Sequence, residues 1–160
     1  MLLLCLDASK GPGGTVFATL VLEEKNYRKL RSLISGWIKH YKDLSSKRRR
    51  KYLLVFERKF NKIKDILYYY ECFLPRFDSV LRIIDLFDGK SKLIIVDDKF
   101  YTLIKNKYGG KVVAEGKAKP YYSAFILLTD NLANLVRIKL SKAKPTLNKN
   151  KILEEYRKKK

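Results

Sequence analysis

The chain is poor in the residues that build several common kinds of site. Its 160 residues include two cysteines, one histidine, one tryptophan and one methionine. Cys5 and Cys72 lie far apart with no Cys or His beside them. That excludes a structural zinc site and reads as two buried free thiols in a reducing, cytoplasmic setting. His40, beside Tyr41 and Lys42 near the end of an amphipathic stretch, reads as a surface residue. With no nucleophile motif to partner it, Ser-His-Asp and Cys-His chemistry are disfavoured. Long apolar runs are also missing, and nothing approaches the ~20 residues of a membrane-spanning helix. The opening run Leu2–Leu6 is too short for a secretory signal, has no basic segment before it and meets Asp7 at once.

Acid is scarce as well. Against 36 Lys and Arg stand 16 Asp and Glu, a formal charge of +20. Such a surplus calls for a polyanionic partner, nucleic acid (DNA or RNA) before an anionic membrane, with a Lys-rich, thermophile-like composition as the plain alternative. A hydrophobic fraction of 46% is that of a folded globule. The expected organisation is one α/β domain over 1–140 and a basic, partly flexible tail over 141–160. From Lys139 onward the chain has nine Lys or Arg and only two Glu.

Leu2–Leu6 reads as a buried strand and 15–22, TVFATLVL, as a second; the SKGPGG between them predicts a hairpin. Helical periodicity follows over 23–42, on the stripe Tyr27, Leu30, Leu33, Ile34, Trp37, Ile38 and Tyr41. The basic run SSKRRRK at 45–51 opens a long second helix whose core stripe is Leu53, Phe56, Phe60, Ile63, Leu67 and Tyr70. Pro75 restarts the chain, and a third helix ends at Gly89. Then come a strand over 92–98, a helix over 99–107, a strand over 111–115 and a helix over 121–140. The strands at 92 and 111 form a βαβ unit.

Two apolar strands end in acid, at Asp7 and at Asp97-Asp98. Functional groups of open α/β sheets gather beyond the carboxyl ends of strands. If these two strands are parallel neighbours, Asp7 and Asp97 project side by side, and their repulsion calls for a divalent cation. Oxygen-only ligands suit Mg²⁺ or Mn²⁺. Plainer roles are an N-cap for Asp97 or Asp98 and an Asx turn for Asp7. In the last helix Asp130 falls at the margin of the apolar face, with Arg137 two turns on as a possible ion-pair partner.

A first strand ending in Asp, the strand IIVDD and a closing helix of the form L-x-x-D-x-x-A together resemble the ribonuclease H-like superfold. More narrowly they are similar to the DUF3800 family, whose members begin with a strand ending in Asp-Glu-Ser-Gly and close on a helix reading roughly Leu-Gln-x-Ala-Asp-x-x-Ala. The resemblance covers 1–22 and 92–138. It implies a mixed sheet that starts with a hairpin, helices packed on it, and carboxylates at Asp7, at Asp97 or Asp98, and at Asp130. This chain departs from the pattern. Ala8 stands where the family has an acid, no third hairpin strand is visible, and Glu57 is the best match for a mid-chain acid.

KGPGG at 10–14 lacks the spacing of a phosphate-binding loop and reads as a hairpin turn. Lys10 and the run Lys47, Arg48, Arg49, Arg50 and Lys51 are the expected phosphate contacts, with a solvated helix end as the plain alternative. Tyr68-Tyr69-Tyr70 offers rings for stacking on bases, or ordinary amphipathic packing. The leading expectation is a metal-dependent nuclease or phosphoryl-transfer enzyme acting on DNA or RNA, with Asp7, Asp97 and Asp130 as catalytic ligands. The alternative is a non-catalytic nucleic-acid-binding or protein-interaction module on a degenerate scaffold.

Overall fold

The computed structural model describes residues 1–11, 14–74, 76–143 and 146–159. Pro12 and Gly13, within the SKGPGG expected to turn the hairpin, and Pro75 lie outside the described residues. Five strands form one sheet in the order β3-β2-β1-β4-β5. β1 (Leu2–Gly11) and β2 (Gly14–Glu23) form the expected antiparallel hairpin. β3 (Tyr69–Phe73) pairs antiparallel to β2. β4 (Ser91–Val96) runs parallel to β1, and β5 (Val112–Ala114) parallel to β4.

Strand alternation divides the core. Leu3 and Cys5 face one layer, formed by α1 (Tyr27–Ile34), α2 (Ser46–Ile63) and α5 (Ser123–Lys142). Leu2, Leu4 and Leu6 face the other, with α3 (Phe77–Phe87) and α4 (Tyr101–Tyr108). Because β1 is covered on both faces, it reads as a continuous apolar run instead of an alternating one. The helix α5 crosses β1 and β2 and is buried round most of its circumference.

Three expectations need correction. β1 does not end at Leu6 but continues to Gly11, so Asp7 lies inside a strand, paired opposite Ala18. The helix expected over 23–42 stops at Ile34. Ser35 and Gly36, both weak helix formers, let the chain turn, and the Trp37 indole N–H donates to Leu33 O at 2.8 Å. α2 ends at Ile63, so Leu67 and Tyr70 do not continue its stripe, and Tyr70 belongs to β3. This third strand, a run of aromatic and β-prone residues, coincides with helical spacing from Ile63 and is hidden by it.

The end of the chain is bound to the sheet. After α6 (Thr146–Glu155), Cys72 N donates to Tyr156 O at 3.1 Å and Lys158 N to Tyr70 O at 2.8 Å. Arg157 faces the buried Glu71 across a β-bridge, with its Nε 3.7 Å from the carboxylate. Glu71 also accepts from the Tyr69 hydroxyl at 2.8 Å and lies 3.6 Å from Arg82. The exposed edge of β3 is thereby covered, as edge strands generally need. Tyr156, only 5% exposed, is the apolar part of this closure. Tyr156→Ala is therefore expected to cost about 3 kcal/mol in urea denaturation, as other large-to-small core changes do. Lys151→Ala, on the exposed part of α6, is expected to change stability by less than about 0.5 kcal/mol.

Candidate functional site

The site follows from sheet register. Leu6 of β1 is level with Val96 of β4, and Val96 is level with Ala114 of β5. The next residue on each strand is acidic: Asp7, Asp97 and Glu115. Asp97 N continues the ladder by donating to Leu6 O at 3.2 Å. One carboxylate oxygen from each of these three residues lies within 4.8 Å of the others. Asp7 is buried, while Asp97 and Glu115 are half-buried beside a cleft of about 510 Å³ that opens to solvent.

α5 supplies the fourth acid from above. Asp130, Asn134 and Arg137 recur at helical spacing on the stripe that faces the end of β1. Asn134 donates to Asp130 Oδ1 at 3.3 Å, and the Ser9 hydroxyl donates to Asn134 Oδ1 at 2.7 Å. Arg137 Nε donates to Ser9 Oγ at 2.8 Å. The guanidinium packs so closely on Gly11 that a Cβ there would stand 2.6 Å from it. These contacts lead Arg137 to Ser9 and Asn134, whereas Asp130 Oδ2 is buried with no hydrogen-bond donor.

Burial and mutual repulsion hold protons on this group. Asp7 is pushed up to about 9, first by desolvation and then by the charges of Glu115 and Asp130, against a weaker opposing bond from Ala8 N. Glu115 is raised to about 7 by desolvation and by Asp97 and Asp130. Asp130 is raised by burial, partly offset by His40 and Lys42. Burying such a cluster costs several kcal/mol. The flanking buried leucines Leu3, Leu4 and Leu6, each contributing roughly 1.5–3 kcal/mol, keep β1 in place nonetheless.

Asp97 has a second role within the cluster, and the remaining predicted residues fall outside it. Asp97 forms an Asx turn by accepting from Lys99 N at 2.9 Å, and neither it nor Asp98 is the N-cap of α4, a position held by Phe100. Asp98 accepts from Gly116 N at 3.0 Å, and a Cβ on Gly116 would lie 3.0 Å from the same carboxylate. The contact fixes the turn that follows Glu115. Glu57 is the clear correction: it is not in the cluster, because α2 and α5 pair it with Lys139 at 2.8 Å. Lys10 is exposed near the hairpin turn. Lys47, Arg48 and Lys51 line one cleft beside α2, and Arg49 and Arg50 another. Glu115 was missed by sequence reasoning, although VVAE repeats the pattern of an apolar strand ending in acid that marks CLD and IIVDD.

The donor set fits a hard divalent cation. It is all oxygen, its members cannot ionise together without positive charge, and Asp130 Oδ2 is left without a donor. Among the described residues no helix is long and apolar enough to cross a membrane.

No family model and no curated protein matches this chain. Among solved structures it is similar to the ribonuclease H2 from Pyrococcus horikoshii OT3, with 25% identity and a TM-score of 0.58, over 87% of this chain and 73% of that one. It is also similar to Aquifex aeolicus RNase H3, with 18% identity and a TM-score of 0.53, over 86% of this chain but 56% of that one. The mixed five-stranded sheet with packed helices is the ribonuclease H-like fold.

Two outcomes are expected. Asp7 and Glu115 hold protons in the folded state that the unfolded chain has released. Their stabilising contribution is complete below about pH 4 and is lost as pH rises toward about 7 for Glu115 and about 9 for Asp7. Metal-free melting temperature should therefore fall between pH 5 and pH 9, and Asp7→Asn should flatten that fall. Added Mn²⁺ should raise the melting temperature by mass action. That rise should disappear in Asp7→Asn and Glu115→Gln and persist in Glu57→Gln.

Proposed function

We propose that the protein is a metal-dependent nuclease that hydrolyses phosphodiester bonds of a nucleic acid. The observation that carries this reading is the level row of Asp7, Asp97 and Glu115 under Asp130, at the open edge of a ribonuclease H-like sheet. Mg²⁺ or Mn²⁺ is the expected ion, held by Asp7, Asp97, Glu115 and Asp130. When bound, such ions activate water and neutralise charge that develops on the phosphate and the leaving oxygen. RNA is the first candidate substrate, because the Pyrococcus protein is named a ribonuclease.

The chain's own residues divide the remaining work. Asn134, steadied by Ser9 and Arg137, orients the Asp130 carboxylate. Asp98 holds the Gly116 turn, which keeps Glu115 beside Asp97. The surplus of basic side chains draws the polyanion in, whereas Lys10, three residues beyond Asp7 on β1, alternates to the opposite face of the sheet. Glu115 supplies an acid in a row where Ala8 follows Asp7. The narrower likeness to the DUF3800 family rests on the motifs of β1, β4 and α5. Ala8 favours the second reading, a binding module without catalysis.

The test is incubation of labelled single-stranded, duplex and hybrid RNA and DNA with Mg²⁺, Mn²⁺ or chelator. Cleavage that requires the ion and falls by at least about a hundredfold in Asp7→Asn is expected. The metal-free variant should be as stable as the parent or more so, since the amide relieves repulsion. Salt-sensitive binding with no cleavage under any ion would leave only the second reading.

A further inference from the structure

The basic run that opens α2 does not form one patch. Helical geometry turns Arg49 and Arg50 toward α5, over a cleft of about 570 Å³ floored by Leu53, Leu54 and Leu135 and containing the Glu57–Lys139 ion pair. Lys47, Arg48 and Lys51 turn the other way. There they join Lys39 around a cavity of about 740 Å³ between α2 and the connection that follows α1. No carboxylate is among the described residues that line it, and its wall carries Trp37 and Tyr52.

Both rings are fixed before any ligand arrives. The Trp37 indole is held by its bond to Leu33 O, and Lys59 Nζ lies 4.7 Å from its centroid. The Tyr52 hydroxyl accepts from Lys39 N and from Asn131 Nδ2, each at 2.9 Å. Asn131 also donates to Lys39 O at 2.9 Å and is the residue next to Asp130 on α5. The wall of the cavity and the turn of helix that carries Asp130 are therefore one hydrogen-bonded piece.

We propose that this cavity binds an unpaired segment of nucleic acid, with phosphates at Lys39, Lys47, Arg48 and Lys51 and a base against Trp37. Four cations without a carboxylate suit a polyanion, but a duplex would use only them. Its bases are covered by their neighbours, whereas an unpaired base has a free face for an aromatic ring. The other cleft also has a ring in its lining, Tyr41, but that ring is buried and lies under the Arg49 guanidinium. The leucine floor beside it offers a base no free aromatic face. The inference rests on the nuclease reading for the identity of the polymer, and it makes the bound segment a single-stranded flank of the substrate.

Trp37 is the only tryptophan in the chain, so its emission reports on this cavity alone. The 160-residue chain is titrated in chelator and low salt with a single-stranded oligonucleotide and with a duplex of equal length. Emission is recorded beside the anisotropy of a labelled strand. The single strand should quench Trp37 saturably, and the duplex should change it little. Lys47→Glu/Lys51→Glu, or the milder Lys47→Gln/Lys51→Gln, should weaken single-strand binding at least tenfold and lower the salt slope by about 0.7 per lost contact. Lys90→Glu/Lys105→Glu, exposed positions on the α3–α4 side, matches the charge change and should keep the quench. Strand binding by anisotropy with unmoved Trp37 emission, equal quenching by the duplex, or equal loss in the two charge-reversed variants would overturn the proposal. Because no ion is present, quenching without cleavage in the ion-containing assay rejects only the nuclease reading, and cleavage without quenching rejects only this one.

Discussion

The structure depends on one register. With Leu6, Val96 and Ala114 level across three parallel neighbours, each strand presents its next side chain at the same height. A slip of one residue on any of them would send its acid to the opposite face of the sheet, because side chains alternate with period two. The apolar pattern prevents the slip: Leu2, Leu4 and Leu6 fill one core and Leu3 and Cys5 the other. Packing on both faces thus sets the spacing of groups that repel one another. The repulsion survives because it is concentrated where β4 and β5 end, while β1 runs on to Gly11 against buried residues of β2.

The frame of this fold is written in β1, β2, β4 and α5, whose apolar runs and periods are unambiguous. Asp7, Asp97 and Asp130 were legible for the same reason, since each sits at a recognisable place on a strong element. What was hidden had a physical cause in each case. β3 lies where its tyrosines prolong the spacing of α2, so only pairing with β2 distinguishes strand from helix. Glu115 follows a strand of three residues, too short for periodicity to mark. Glu57 has the right residue type on a well-defined helix, yet its partner Lys139 comes from far along the chain. Local pattern carries elements; it does not carry which side chains meet across them.

Charge acts on two length scales. The net charge of +20 governs the approach of a polyanion over roughly a Debye length, about 8–10 Å at ordinary salt. Within the site the sign is reversed, and the short-range field of four acids is what a phosphate chain would meet. A basic surface alone would bind that chain anywhere. The acidic notch, which holds protons when no cation is bound and turns positive only with one, would distinguish one place along it. The two clefts beside α2 show the same economy, since one helix turn of cations serves two surfaces of different chemistry.

The covering of β3 by residues 156–158 has a consequence for biosynthesis. Hairpin β1–β2 can form early, because its partners are adjacent in the chain. The row of acids needs β5 as well, its lid needs α5, and the far edge of the sheet waits for residue 158. Contacts of such long separation slow folding, and an emerging chain shows an uncapped strand until late. On the ribosome, residues 156–158 leave the exit tunnel only after all five strands and α5 have emerged. Covering of the sheet's edge therefore comes last, and the nascent chain passes through a stage in which β3 has its backbone groups on offer.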